Sequence, residues 1–439
     1  MFNNLTLTKP EYKNLPVKVL IKNGKIVDPV NGINEIKDIK IIDGVIEEIA
    51  TKIAVEDDTL VINAEGKYIS QGFFDMHVHF RDPGIEQAEN IVSGSNAAMA
   101  GGFTGVAMMP NTEPCIDNKF LFNDLVSRSK DFLVDCHPIP AITVGRKGEK
   151  ITEMAELVET GALGFTDDGS GVQSSESSRR ALEYSKMFDV PIMVHAQDTS
   201  FEPGVMNEGF YSTLLGMAGI SNLTEDLMIS RDIHIAEYTG GKLHIQHIST
   251  KKGVELVRDA KKRGLKVTAE VTPHHFSLTD EKVTTFSTDF KMAPPLRAED
   301  DLKAVLEGLK DGTIDAIATD HAPHTPEKKN VEFDFAPFGV IGLETSFAAG
   351  NSNLVKKGIL TIESLIEKMA VNPRKILKLD YDLIKVGNKA NLTIFDTETE
   401  FVVDRFKMKS LSRNTAFNGE TLFGKVYHTI NNGKIFSAE

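Results

Sequence analysis

The stretch GFFDMHVHFRDPG, residues 72–84, opens with a short apolar run that ends in His77 and His79 and stops at a turn of Asp82, Pro83 and Gly84. Seven more short apolar runs follow it: TGVAMMP (104–110), DCHPIPAITV (135–144), ALGFTDD (162–168), PIMVHAQ (191–197), KLHIQHI (242–248), KVTAEVT (266–272) and IDAIATD (314–320). Between them lie segments of helical spacing, such as SSRRALEYSKMF (177–188) and KKGVELVRDAKKR (251–263). Alternation of this kind is the pattern of βαβ units and a parallel sheet. Eight strand–helix units over about 315 residues fit an α/β (β/α)8 TIM barrel with insertions. An open doubly wound sheet is the alternative. It is disfavoured because no GxGxxG or Walker A motif occurs, and Gly169-Ser170-Gly171 lacks the third glycine.

The two ends of the chain have a different period. VKVLIKNGKIVDP (17–29) places Asn23-Gly24 between β-rich runs, and DIKIIDGVIEEIA (38–50) does the same with Asp43-Gly44. KVYHTINNGKIF (425–436) repeats the signal with Asn432-Gly433, after the strand-like ANLTIFD (390–396). Such dipeptides accept the positive φ that two-residue hairpins need. Both termini therefore read as strands of one small β-sandwich built from 1–67 and 385–439, leaving 68–384 to the barrel.

The chain has 439 residues, 41% of them hydrophobic and 26% charged, which suits a soluble globular protein with a sizeable core. A net charge of −14 argues against a nucleic-acid partner, which needs a basic surface. Only Cys115 and Cys136 occur, outside any CxxC pattern, so a reducing compartment is expected. The N-terminus lacks a basic stretch followed by an apolar run, and no segment approaches about 18 apolar residues. A cytoplasmic protein with no membrane span is the expectation.

Function is read from the ends of the runs. His77 and His79 close the first, Asp168 the fourth, His195 the fifth, His247 the sixth and Asp320 the eighth. In a parallel barrel these ends open on one face, where catalytic residues gather. Six such groups are too many for one tetrahedral zinc but suit two metals sharing a carboxylate bridge. A lone histidine is more often structural, and His137, His234, His244, His274, His275 and His428 are read so. The His77-x-His79 spacing points both rings to one side of a strand. Arg81 lies two residues beyond, where its guanidinium can hold a substrate carboxylate. Asn111 offers an amide at the same mouth, and Asp320-His321-Ala-Pro-His324 packs a carboxylate and two imidazoles into five residues. Phe338-Gly339 reads on its own as loop packing.

The strings FFDMHVHFRDPG, MMPNT, GFTDDG, VHAQD, HIQHIS, APPLR and ATDHAPHTPEKK, in this order, closely resemble the dihydroorotases of the amidohydrolase superfamily, across essentially the whole chain. The resemblance implies two zinc ions, one held by His77, His79 and Asp320 and the other by His195 and His247, with a carboxylate bridging them. In many relatives a carbamylated lysine makes the bridge. ALGFTDDG holds no lysine and is similar to the aspartate-bridged subgroup, with Asp168 the first candidate for the bridge and Asp167 the second. It also implies that a zinc-held hydroxide opens (S)-dihydroorotate reversibly to N-carbamoyl-L-aspartate in pyrimidine synthesis. Asp320 would act as the catalytic proton carrier, with His79, Arg81, Asn111, His324 and the Phe338-Gly339 backbone on the substrate. A homodimer and association with aspartate carbamoyltransferase are implied partners. The sequence departs from the subgroup at Met292-Ala293-Pro294-Pro295, where asparagine commonly stands in place of Ala293. Hydantoinases, dihydropyrimidinases and allantoinases share much of this pattern. An inactive scaffold homologue is the remaining alternative, and such proteins typically lose metal ligands.

Overall fold

The apolar runs form eight parallel strands in the computed structural model, which describes residues 9–438. Residues 1–8 and 439, at the outer ends of the two expected sandwich segments, lie outside the described residues. The strands are β1 (Phe73–Val78), β2 (Phe103–Met108), β3 (Asp135–Pro138), β4 (Phe165–Thr166), β5 (Ile192–Val194), β6 (Leu243–Ile245), β7 (Val267–Val271) and β8 (Ala316–Ile317). β1, β2 and β3 pair in sequence, as do β4 to β8. The ring closes where the Thr166 amide donates to Pro140 O at 3.1 Å, and where His321 pairs with Val78. Strands covered on both faces read as continuous apolar runs, and all six residues of β1 are buried. The eight parallel strands make the TIM barrel expected from the sequence.

Helices cover the outside of the barrel. Lys251–Lys262 shows why they form: the Thr250 side chain caps the Gly253 amide, Val254, Val257 and Ala260 bury one stripe, and Lys261 and Lys262 sit at the negative end of the dipole. Inside the barrel, Phe74, Met76, Ala107, Met109, Met193, Ala316 and Ala318 pack together. Pairing of β1 with β2 is irregular between Asp75 and Val78. Strict alternation from Phe74 and Met76 would send His77 outward. The irregularity reverses the parity, so His77 and His79 both face the mouth.

The termini meet in a nine-stranded sheet, where Leu392–Phe395 runs antiparallel to Tyr68–Gln71. Val19, Ile21, Ile39, Ile69, Leu392 and Ile430 belong to its own aliphatic core. Asp43-Gly44 and Asn432-Gly433 make the expected tight turns, with φ of 49° and 75°, and 51° and 65°. Asn23-Gly24 does not. The strand Lys18–Asp28 runs through it, with a register shift between Ile21 and Gly24 and Asn23 at φ 60°. Here the positive φ serves a bulge, and glycine is required because a Cβ would lie 2.3 Å from Ile69 Cδ1. Tyr68–Gln71, just past the expected boundary, belongs to this sheet, whereas the hairpin of Glu400–Val402 and Thr421–Phe423 stands apart from it. Val403, Phe417 and Leu422 of that segment pack on Leu278, Met292 and Val340 of the barrel loops.

Candidate active site

Because the strands are parallel, their carboxyl ends share one rim, and the chain turns there. His77 lies within β1 and His79 just beyond it; Asp168, His195, His247 and Asp320 follow β4, β5, β6 and β8. None of the six is more than 6% exposed. Asp168 sits at the centre. Its Oδ1 is 3.3 Å from His77 Nε2 and 3.6 Å from both His195 Nδ1 and His247 Nε2, and its Oδ2 is 3.4 Å from His79 Nε2. Asp320 Oδ1 lies 2.9 Å from His79 Nε2 and 3.5 Å from His77 Nε2. Asp167 turns the other way and accepts from the amide and hydroxyl of Thr143. Arg81, His247 and Asp320 hold φ of 58°, 34° and 48°, a conformation side chains seldom adopt outside over-determined sites.

The hydrogen bonds around the cluster fix which ring nitrogens carry lone pairs. His77 Nδ1 donates to Glu270 Oε1 at 2.7 Å, because a carboxylate only accepts. His79 Nδ1 faces the Asn111 amide oxygen at 2.7 Å, and His195 Nε2 faces Gln197 Oε1 at 3.0 Å. The opposite nitrogens of these rings therefore aim lone pairs at carboxylate oxygens and at one another; His195 Nδ1 is 2.9 Å from His247 Nε2. His77 Nε2, Asp168 Oδ1 and His247 Nδ1 are buried without a hydrogen-bond partner among the described residues. Converging acceptors repel unless a cation stands among them, so the donor set fits a metal. The ligand atoms of His77, His79 and Asp320, and those of His77, Asp168 and His247, each lie within 4.8 Å of one another.

The electrostatics agree. Burial alone would lower the His77 pKa, yet Asp168 and Glu270 hold it well above 6.5. Burial would raise Asp168 and Asp320, yet the imidazoles around them hold both below 3.8. The pocket is anionic and favours cationic charge. The cluster could hold metal ions.

The expected substrate residues line the same rim. Arg81 is 8% exposed, donates from Nε to Pro323 O at 3.2 Å, and has no ion-pair partner among the described residues. Burial lowers its pKa to about 10, with Asp320 and Asp168 opposing. His324 Nε2 bonds Phe338 O at 2.7 Å, and burial, then the charge of Arg81, bring its pKa down to about 3. The Gly339 amide donates to Lys291 O at 3.0 Å. Asn111 holds the His79 ring through its oxygen, which leaves its NH2 as the group for a ligand. Ala293 lines a small cavity with Gln197 and Pro294 and brings no side-chain amide to the rim.

Sequence reasoning missed Glu270, whose signal was a charge inside the apolar run of β7. It also missed Asn414, whose side chain bonds three backbone groups on two segments of the rim from a stretch with no motif. His274, read as structural, has a buried Nε2 with no partner, and Asp320 and His247 act on it electrostatically.

A family model described as dihydro-orotase-like matches residues 66–253. A dihydroorotase of Acetivibrio thermocellus is 48% identical, over 96% of this chain and 99% of that protein. A dihydroorotase of Geobacter metallireducens is 47% identical, over 95% and 99%. Among solved structures, an L-hydantoinase (dihydropyrimidinase) from Arthrobacter aurescens superposes with a TM-score of 0.86 at 25% identity, covering 96% of each chain. A D-hydantoinase at 21% identity, with a TM-score of 0.81 and 95% of each chain covered, shares the fold.

Proposed function

The chain belongs to the dihydroorotase family, and on that premise we propose that it opens (S)-dihydroorotate reversibly to N-carbamoyl-L-aspartate, a step of de novo pyrimidine synthesis. Two zinc ions are the metals of this reading: His77, His79 and Asp320 would hold one, His195 and His247 the other, and Asp168 would be shared between them. Bound zinc polarises a carbonyl and lowers the pKa of water from 15.7 to about 7.

The remaining chemistry is derived from side chains. Hydrolysis joins the oxygen of water to the ring carbonyl carbon and breaks that carbon's bond to the ring nitrogen. Asp320 takes the proton of the attacking water and returns it to the departing nitrogen, and the reverse reaction uses it in the opposite order. Glu270 and Asn111 keep the His77 and His79 protons on Nδ1, away from the metals. Arg81 anchors the substrate carboxylate. With a carboxylate bound, the Arg81 charge, the second cause after burial of the lowered His324 pKa, is offset, which makes the His324 ring a better neighbour for the anchored group.

One observation carries the choice of an acidic ring: Arg81 is buried beside the histidine and aspartate cluster, with no ion-pair partner among the described residues. An unpaired buried charge costs on the order of several kcal/mol, which an anionic substrate offsets and a neutral hydantoin does not. The test is turnover of dihydroorotate, hydantoin, dihydrouracil and allantoin, with zinc measured on the same sample. Preference for any neutral ring over dihydroorotate would refute the assignment, and a scaffold would turn over none of the four.

No helix among the described residues is long and apolar enough to cross a membrane. Family resemblance supports a cytoplasmic homodimer that associates with aspartate carbamoyltransferase. Sedimentation of the chain alone and mixed with that enzyme tests both associations.

A further inference from the structure

The loop that leaves β8 carries His324, forms the short helix Pro326–Lys329, and returns so that Val340 pairs with His321. That return brings Phe338 and Gly339 against His324. Gly339 has φ of 130°, and a Cβ there would lie 2.8 Å from Ala322 Cβ and 3.0 Å from His324 Nε2. The turn therefore tolerates little change at the point where the carboxylate pocket is shaped.

Two buried side chains grip this turn from below and from the side. The Lys329 ammonium has three N–H donors, and they meet the carbonyl oxygens of Gly339 at 2.9 Å, Pro337 at 3.0 Å and Lys291 at 3.3 Å. Lys329 is 6% exposed, and no ion pair neutralises it among the described residues. Burial brings its pKa down to about 7, with Asp289 opposing and Lys291 adding. Asn414 is 3% exposed and arrives from the C-terminal segment. Its Nδ2 donates to Gly339 O at 3.0 Å and Ala322 O at 3.1 Å, while its Oδ1 accepts from the His324 amide at 3.2 Å. A charge buried without a counter-ion is expensive where hydrophobic packing would suffice. Here it donates to three carbonyls and so ties Pro337 and Gly339 of the turn to Lys291.

We propose that Lys329 and Asn414 are positioning residues for substrate binding: together they clasp the Gly339 carbonyl and hold the loop so that His324 meets the substrate carboxylate. This rests on the dihydroorotase reading above. The side-chain bonds of both residues go to the backbone of the loop and of Lys291, and none goes to the histidine and aspartate cluster. Loosening the clasp moves His324 and Phe338 and leaves Asp320 and the histidines in place. The cost falls on binding, and the chemical step and metal content are spared.

The test is steady-state kinetics on dihydroorotate for the zinc-loaded full chain and for Lys329→Met, Asn414→Ala and Asn414→Asp, with metal content and thermal unfolding measured in parallel. Asn414→Asp keeps the acceptor for the His324 amide but sets carboxylate oxygen against two carbonyls, so it should behave like Asn414→Ala. KM is expected to rise roughly tenfold or more, with kcat within about threefold and zinc retained. If Lys329→Met does not fold, the two Asn414 variants carry the same expectation. KM within about twofold of wild type in folded variants, or a loss confined to kcat, overturns the clasp alone. A wild-type enzyme inactive on dihydroorotate overturns the functional reading and the clasp with it.

Discussion

His77 is held through one nitrogen of its ring. Glu270 takes the Nδ1 proton, its other oxygen faces His244 Nε2 at 3.1 Å, and His244 Nδ1 meets the Thr268 hydroxyl at 2.8 Å. Burial would raise the Glu270 pKa, but the charge of His77 and the bonds from both histidines bring it to about 2. Glu270→Gln can accept from only one ring and turns an NH2 toward the other. Competition with a chelator should show metal affinity reduced about 10–100-fold in a chain of unchanged fold. Unaltered affinity would detach Glu270 from the centre. Arg81→Met should lower kcat/KM for dihydroorotate about a hundredfold or more, through KM, with zinc content preserved. An equal loss on neutral cyclic amides would count against the anchor. That Arg81, the four imidazoles and the two carboxylates would gather at one rim was legible because their residue types stand at strand ends. Glu270 was passed over because its partner is a ring brought in from another strand.

At the scale of elements, the loop carrying His247 is tied down by the helix Leu223–Thr239. Glu225, in its first turn, accepts from the Ser249 amide at 2.8 Å and the Thr250 amide at 3.1 Å, and pairs with Arg297 at 3.2 Å. All three segments are thereby fixed to one carboxylate. Burial would raise the Glu225 pKa; Arg297 and the Ser249 and Thr250 donors outweigh it and leave it below 4.5. A depressed pKa gives stability that is present above the unfolded value and lost as pH falls through the folded one. Glu225→Gln should therefore cost about 3–5 kcal/mol near neutrality and converge on wild type in acid below pH 4.5, as chemical denaturation at several pH values would reveal. A constant difference across that range would exclude ionisation of Glu225 as the source. Element positions were legible too, since the runs named from sequence became β1 to β8. The Asn23-Gly24 turn was misread because a hairpin and a bulge ask for the same positive φ, and only the neighbouring strand distinguishes them.

On the scale of the whole molecule, the terminal sheet grips the outside of the barrel. Asn431 Nδ2 reaches Leu133 O at 2.9 Å and Thr104 O at 3.2 Å, and the Thr393 hydroxyl donates to Gly102 O at 2.6 Å. The histidine and aspartate cluster works in the same global sense, because it joins β1, β4, β5, β6 and β8 and exists only in the folded chain. Stripping metal should lower the unfolding temperature by roughly several degrees and abolish turnover, with zinc restoring both. An unfolding temperature indifferent to chelation would mean the cluster does not bind metal strongly. The amino-acid order alone determined the strand–helix alternation, the tight turns at both ends, and which imidazoles and carboxylates stand at strand ends, because these follow from local period and residue type. Folding decided the rest. The irregular pairing in β1 turns His77 inward, the Thr143 amide and hydroxyl draw Asp167 away and leave Asp168 at the centre, and Asn414 reaches the rim from the far end of the chain. Each of those outcomes depends on a partner distant in sequence, and no local pattern encodes which partner arrives.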